Sequence, residues 1–163
     1  MKKQIIPCLW YDREAEEAVN FYISVFPNSS IGKVSRYSDE AASQMGMPQG
    51  AVLSISFSLG GNQYTALNGG PMFRFNEAVS FQIFCKDQQE IDYYWNRLTE
   101  GGEPSMCGWL KDRYGLSWQI VPESLEEMLS NPKTAATVSA ALMKMTKLDL
   151  AALEQAAAQA TAV

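Results

Sequence analysis

The sequence predicts an α+β fold made of two βαβββ modules followed by C-terminal helices. Three observations carry this. The order strand, helix, strand, strand, strand occurs twice before residue 122. The offset that lays Pro7 on Ser80 also lays the helical pair Phe21-Tyr22 on Tyr94-Trp95. A shorter offset lays residues 61–65 on residues 115–119. The difference between the offsets falls at Ser38 to Gly50 and nearby connections, where changes of length are tolerated.

Each element has a local reason. Ile5 to Tyr11 is a short apolar run, a buried strand. Asp12 then starts a helix, whose apolar stripe is Ala15, Ala18, Val19, Tyr22, Ile23 and Phe26. Pro27-Asn28 ends it, and Ser30 to Tyr37 suits a strand. Ser38 to Gly50, with Gly46, Pro48 and Gly50, reads as a loop. Leu53, Ile55, Phe57 and Leu59 alternate with Ser54, Ser56 and Ser58, a half-buried strand. Gly60-Gly61-Asn62 turns the chain into the return strand Gln63 to Leu67.

The second module repeats the scheme. Val79, Phe81, Ile83 and Cys85 alternate with Ser80, Gln82 and Phe84. Asp87 opens a helix with the stripe Ile91, Tyr94, Trp95 and Leu98, and Gly101-Gly102 stops it. Two or three short strands follow, over Pro104 to Lys111 around Cys107 and Trp109 and then over Leu116 to Val121, joined by a turn capped by Asp112-Arg113. Beyond the repeat, Pro122-Glu123-Ser124-Leu125 reads as a helix start, and Asn131-Pro132 places Asn before a Pro at a first helical position. Leu142, Met145, Leu148, Leu150 and Leu153 supply apolar positions for one or two helices, and the AAAQATAV tail is expected to fray. The expected organisation is one domain over 1–163, with module one at about 4–68, module two at about 78–121 and a helical extension at 123–160.

Composition narrows the function. The chain has 163 residues, 13 Lys plus Arg against 18 Asp plus Glu, and a net charge of −5. Such an acidic chain is a poor partner for nucleic acid. There is no histidine, which removes Ser-His-Asp and Cys-His triads, HExxH zinc sites and two-His-one-carboxylate iron sites. Cys8, Cys85 and Cys107 form no CxxC and read as reduced thiols of a cytoplasmic protein. The opening MKKQIIPCLWYDRE reaches charge at Asp12, too soon for a signal peptide. No run approaches a membrane span.

The pieces NGGP, FNEAVSF, DQQEIDYYW, CGWLKDRYG and SWQIVP, in this order, resemble the PhnB-like family, whose members also carry the description 3-demethylubiquinone-9 3-methyltransferase domain. PCLWYD before a helix containing NFY, and the exit VFPNSSI, are similar too. The resemblance covers about residues 4 to 160. It implies the vicinal-oxygen-chelate superfamily of glyoxalase I, extradiol dioxygenases and bleomycin-resistance proteins. The implied fold is a cup-shaped mixed sheet, often completed in a homodimer.

Metal-using members of that superfamily place four ligands in the cup. The resemblance, with the repeat offsets, puts the equivalent positions at Pro7, Thr65, Ser80 and Gln119. Proline cannot ligate, and neutral hydroxyls and an amide are weak ligands for Zn²⁺, Ni²⁺ or Fe²⁺. The expectation is therefore no metal and no cofactor.

Strand alternation then assigns faces. Gln82 and Phe84 join Ser80; Ser117 and Val121 join Gln119; Gln63 and Leu67 join Thr65; and Ile5, Leu9 and Tyr11 join Pro7. The candidate ligand-binding residues are Thr65, Ser80, Gln82 and Gln119. Arg74, in the linker Met72-Phe73-Arg74-Phe75, is added as a group able to hold a carboxylate or phosphate. The expected function is metal-free binding of a small molecule, with a homodimer and no nucleic-acid or membrane partner. The alternative is a glyoxalase-related lyase, isomerase or dioxygenase, and beyond it a methyltransferase as the family description says. A methyltransferase would normally show a Gly-rich loop after a parallel strand; Gly60-Gly61 and Gly69-Gly70 stand in hairpin and linker settings instead.

Overall fold

The computed structural model describes residues 3–161, and the chain divides between Phe75 and Asn76 into two units. The first runs β1 (Cys8–Tyr11), α1 (Ala15–Val25), β2 (Ser30–Arg36), α2 (Asp39–Gln44), β3 (Val52–Leu59) and β4 (Asn62–Asn68). Its sheet has the order β1-β4-β3-β2, with β1 parallel to β4 and the other pairs antiparallel.

Period-two alternation sends Ile55, Phe57 and Leu59 of β3 and Ala66 of β4 inward. The 3.6-residue period of α1 buries Ala15, Ala18, Val19, Tyr22 and Val25. The start of α1 differs from expectation. Asp12 does not open it; the helix begins at Ala15, after Glu14, whose side chain makes no cap. Buried Asn68, distant in sequence, performs the capping instead. Its Oδ1 accepts the Ala15 N–H at 2.9 Å, and its Nδ2 donates to the Val52 carbonyl at 3.0 Å. The expected loop after Ser38 also contains a short helix, α2. Ser38 accepts the Ala41 N–H at 3.2 Å, and Asp39 and Glu40 sit in the first turn, where acidic groups are favoured.

The second unit runs β5 (Ser80–Cys85), α3 (Gln88–Thr99), β6 (Glu103–Pro104), β7 (Trp109–Lys111), β8 (Ser117–Pro122), α4 (Leu125–Ser130), α5 (Ala135–Leu142) and α6 (Leu150–Thr161). Its sheet order is β5-β8-β7-β6, with β5 parallel to β8. Each unit thus has the βαβββ order, and the fold is α+β with two four-stranded mixed sheets.

Asp87 caps α3, accepting the Glu90 N–H at 2.9 Å. Ile91, Trp95 and Leu98 of α3 are buried, as are Leu110, Trp118 and Ile120 of the sheet it packs on. Val79, expected beneath a helix, is instead 65% exposed, because it precedes β5 and lacks a strand partner. Of the two or three short strands expected after α3, three form, because the stretch around Cys107 divides β6 from β7. Cys107 and Gly108 take φ of 60° and 81°, and their N–H groups leave the sheet to bond Met145 and Thr146 carbonyls at 2.7 and 2.8 Å.

The C-terminal helices share a core of Val121, Leu125, Val138, Leu148 and Leu153. Helix α5 starts at Ala135, later than the Asn131-Pro132 signal, because Asn131 Oδ1 accepts the Lys133 N–H in a preceding turn. Helix α6 continues to Thr161, through most of the tail expected to fray; residues 162–163 lie outside the described residues.

Candidate functional site

The sheet of the second unit has one face under α3 and one open face. Register places the open-face residues in rows. Gln82 of β5 stands beside Gln119 of β8, which stands beside Trp109 of β7. One row over, Ser80, Ser117, Lys111 and Glu103 succeed one another from β5 to β6.

Three of the sequence-derived candidates are joined directly. Gln119 Nε2 donates to Ser80 Oγ at 2.8 Å, and Gln82 Nε2 donates to Gln119 Oε1 at 3.3 Å. Parallel pairing of β5 with β8 makes this possible, since adjacent strands lie about 4.8 Å apart and these side chains rise from the same face. Gln82 is exposed; Ser80 and Gln119 are half-buried.

A cleft of about 480 Å³ opens over the β6–β7 edge of the sheet; Ser80, Gln82 and Gln119 do not line it, but Ser117 and Trp109, register neighbours of Ser80 and Gln119, do. Pro104, Met106, Cys107 and Trp109 give it an apolar wall, while Lys111, Glu77, Glu103 and Ser117 supply polar groups. Lys111 Nζ pairs with Glu77 Oε1 at 2.5 Å. That hydrogen bond pulls the Glu77 carboxyl below its ordinary value and pushes the Lys111 ammonium above its own. Both groups are therefore charged at neutral pH. Ser117 is fully buried, and its Oγ has no hydrogen-bond partner among the described residues.

Thr65 and Arg74 belong to the first unit and are outside this chain of hydrogen bonds. Thr65, half-buried, is flanked by Ser56 of β3 and Cys8 of β1. Arg74 is exposed between Phe73 and Phe75, whose rings pack on Trp10 and Tyr11 with centroids 5.0 and 5.2 Å away.

The expected face of β1 is reversed. Cys8, not Pro7, is in register with Thr65. Leu9 and Tyr11 are buried, and the Tyr11 hydroxyl lies 3.3 Å from that of Tyr22 on α1. A shift of one residue flips every side chain of a strand, and the apolar run Ile5 to Trp10 has no alternation to fix its register. Desolvation raises the Cys8 thiol above its ordinary value, so it stays protonated near neutrality.

Within the first unit Cys8 thus takes the place expected of Pro7 beside Thr65. Within the second unit Ser80 and Gln119 offer a hydroxyl and an amide, which are weak ligands for a transition metal. Among the described residues no three His, Cys, Asp or Glu side chains gather as a metal site.

Sequence reading passed over Lys111, Glu77 and Trp109. Their joint appearance depends on the Cys107-Gly108 bend, which composition does not announce. The alternation from Gln119 did reach Ser117, though not its missing partner.

A family model described as 3-demethylubiquinone-9 3-methyltransferase matches residues 3–121. The chain belongs to this 3-demethylubiquinone-9 3-methyltransferase family. The matched stretch covers both βαβββ units and stops before α4, so the C-terminal helices of this family member lie beyond it. A PhnB protein from Bacillus cereus with the same methyltransferase description is 31% identical, with a TM-score of 0.66 over 74% of this chain and 99% of that one. Two more distant solved structures share the fold. One, from Pseudomonas aeruginosa, is 18% identical with a TM-score of 0.60, covering 75% of this chain and 98% of its own. The other is the fosfomycin resistance protein FosX from Listeria monocytogenes, in complex with Mn(II) and sulfate. It is 15% identical with a TM-score of 0.52, covering 80% of this chain and 97% of its own. This family member therefore shares the glyoxalase-type fold of the PhnB and FosX structures. No curated protein matches the sequence.

Proposed function

We propose that this PhnB-like protein binds a small molecule on the open face of its second module and works without a catalytic metal. The observation that supports this most is the chain Ser80–Gln119–Gln82 beside the cleft. Ligand sites combine an apolar wall with a few placed polar groups, and this face has both. The FosX structure contains Mn(II); the corresponding groups here are neutral, which favours hydrogen bonding over coordination. Methyl transfer, as the family description names it, is the competing activity.

The same reading includes a cytoplasmic homodimer. All three cysteines are free, which suits a reducing compartment. Edge strand β2 is exposed along its whole length, with Ile31 and Val34 each 43% exposed. An open edge of this kind is suited to pairing with a second chain.

Native mass spectrometry of the untagged protein tests the reading. The expected spectrum retains a small organic molecule, less than one transition metal per chain, and no adduct after titration with S-adenosylmethionine. In Gln119→Leu the organic adduct should fall about fivefold or more, the consequence of one unpaired buried polar group at roughly 1–3 kcal/mol. One firmly held transition metal per chain, or a stoichiometric S-adenosylmethionine adduct, overturns it.

A further inference from the structure

We propose that the ligand of the second unit is an uncharged molecule with an aromatic-sized apolar body and one hydrogen-bond-accepting oxygen, which sits at Ser117 and Lys111. This rests on the reading of that face as a binding site and adds the ligand's class.

The cleft has two chemically different sides. Pro104, Met106 and Trp109 form the apolar one, and Trp109 is half-buried. A flat apolar body gains by covering it. The volume of about 480 Å³ is within the range of small-molecule sites.

On the polar side, Ser117 is the informative residue. The residue lines the cleft, and its buried hydroxyl has no partner among the described residues. Buried hydroxyls nearly always find one. The place where Ser117 could find it is the cleft, beside Lys111, its register neighbour on β7. The Lys111 ammonium gives one of its three donors to Glu77. A ligand oxygen at this point takes donors from both Ser117 and Lys111.

Charge selects among the ligands that carry such an oxygen. Glu103 stands beside Lys111 across the β6–β7 pair and also stabilises its charge. Two carboxylates thus surround one ammonium, and the wall is net negative. A carboxylate or phosphate ligand meets that repulsion and finds the ammonium already paired. An ammonium is drawn by the two carboxylates, but at this point it brings donors to the donors of Ser117 and Lys111 and a second positive charge beside the first. A neutral carbonyl, amide or hydroxyl avoids both penalties.

Three probes of one shape test this: benzamide, benzoate and benzylamine, which share a ring and differ in the charge of the head group. Each is titrated into the full-length protein while the Trp109 indole N–H and the Ser117 amide are followed by heteronuclear NMR. Benzamide should shift both signals and bind at least fivefold tighter than the other two. Ser117→Ala should weaken benzamide at least fivefold. Its melting temperature should hold or rise, since the change removes an unpartnered buried hydroxyl. Tighter binding of benzoate or benzylamine at the same two signals would sink the ligand class while leaving small-molecule binding intact. If no probe moves either signal, the binding reading falls with it. Undiminished benzamide binding by Ser117→Ala also overturns the proposal.

Discussion

Asp112 has both carboxylate oxygens committed. Oδ1 accepts the N–H groups of Tyr114 and Leu116 at 2.9 and 3.1 Å, and Oδ2 accepts the Trp118 indole N–H at 2.8 Å. The residue is 3% exposed, so water cannot replace it. The carboxylate fixes the turn into β8, and with it the direction of Ser117 and Gln119. Leaving a buried donor unpaired costs about 1–3 kcal/mol. Asp112→Ala strands several at once and should lower stability by about 3 kcal/mol or more, read as a urea midpoint shift at constant m-value. Gln119 is a different case. Its partners Ser80 and Gln82 are partly or wholly exposed, and water can satisfy them when Gln119 is removed. Gln119→Leu should therefore cost about 1 kcal/mol of stability or less, with the larger effect on binding.

At the level of elements, the bend between β6 and β7 carries the cleft wall. Cys107 and Gly108 are pinned to the segment before α6 through the Met145 and Thr146 carbonyls. Gly108 has φ of 81°, and a Cβ there would lie 2.7 Å from the Ile120 carbonyl oxygen. Gly108→Ala meets both the left-handed penalty and a backbone clash, so about 2 kcal/mol or more should be lost in thermal or urea unfolding. Helix α6 is held nearby. Gln88 donates to the Leu148 carbonyl at 3.1 Å and accepts the Leu150 N–H at 2.9 Å. Lys147 pairs with Asp92 at 2.6 Å. The hydrogen bond from Lys147, then that from Gln88, holds the Asp92 carboxyl below its usual 3.8. A carboxylate lowered in the folded state stabilises above its unfolded value and loses that contribution as pH falls through the folded one. Amide exchange at Leu150 to Leu153, corrected for intrinsic rate, should thus be flat from pH 8 to pH 5 and accelerate below about pH 4. In Asp92→Asn the acid-dependent part should vanish.

On the scale of the molecule, association is the property most open to test. Strand β2 exposes every residue, and Met72, Phe73, Phe84 and Met143 are also more than half exposed. Among the described residues no helix is long and apolar enough to cross a membrane. A symmetric homodimer should sediment as a single species at micromolar concentration, and sedimentation at the 18.1 kDa monomer mass would contradict it. Such a dimer should show mass action: dilution should lower the melting temperature.

The doubled strand-helix-strand-strand-strand order and the inward face of most elements were legible in the residues alone, while α2 was not. Alternation through Ile55, Phe57 and Leu59 and the stripes Ala15, Ala18, Val19, Tyr22 and Ile91, Trp95, Leu98 leave one way to bury apolar surface; Val25 is buried where Ile23 and Phe26 were expected. The absence of histidine likewise limited the chemistry before any geometry was known. Parallel pairing of Gln82 with Gln119 was legible as a shared face, because both follow from period two. Tertiary structure decided what depends on groups far apart in the chain. The face of β1 was set by its pairing with β4, since an unbroken apolar run favours neither side. Asn68 took over the capping of α1 from a distance of 53 positions. The break at Cys107-Gly108 came from carbonyls near residue 146, and it shapes the cleft beside Ser117. A local pattern encodes which side of an element is apolar; only packing decides which distant hydrogen-bond partner arrives to meet it.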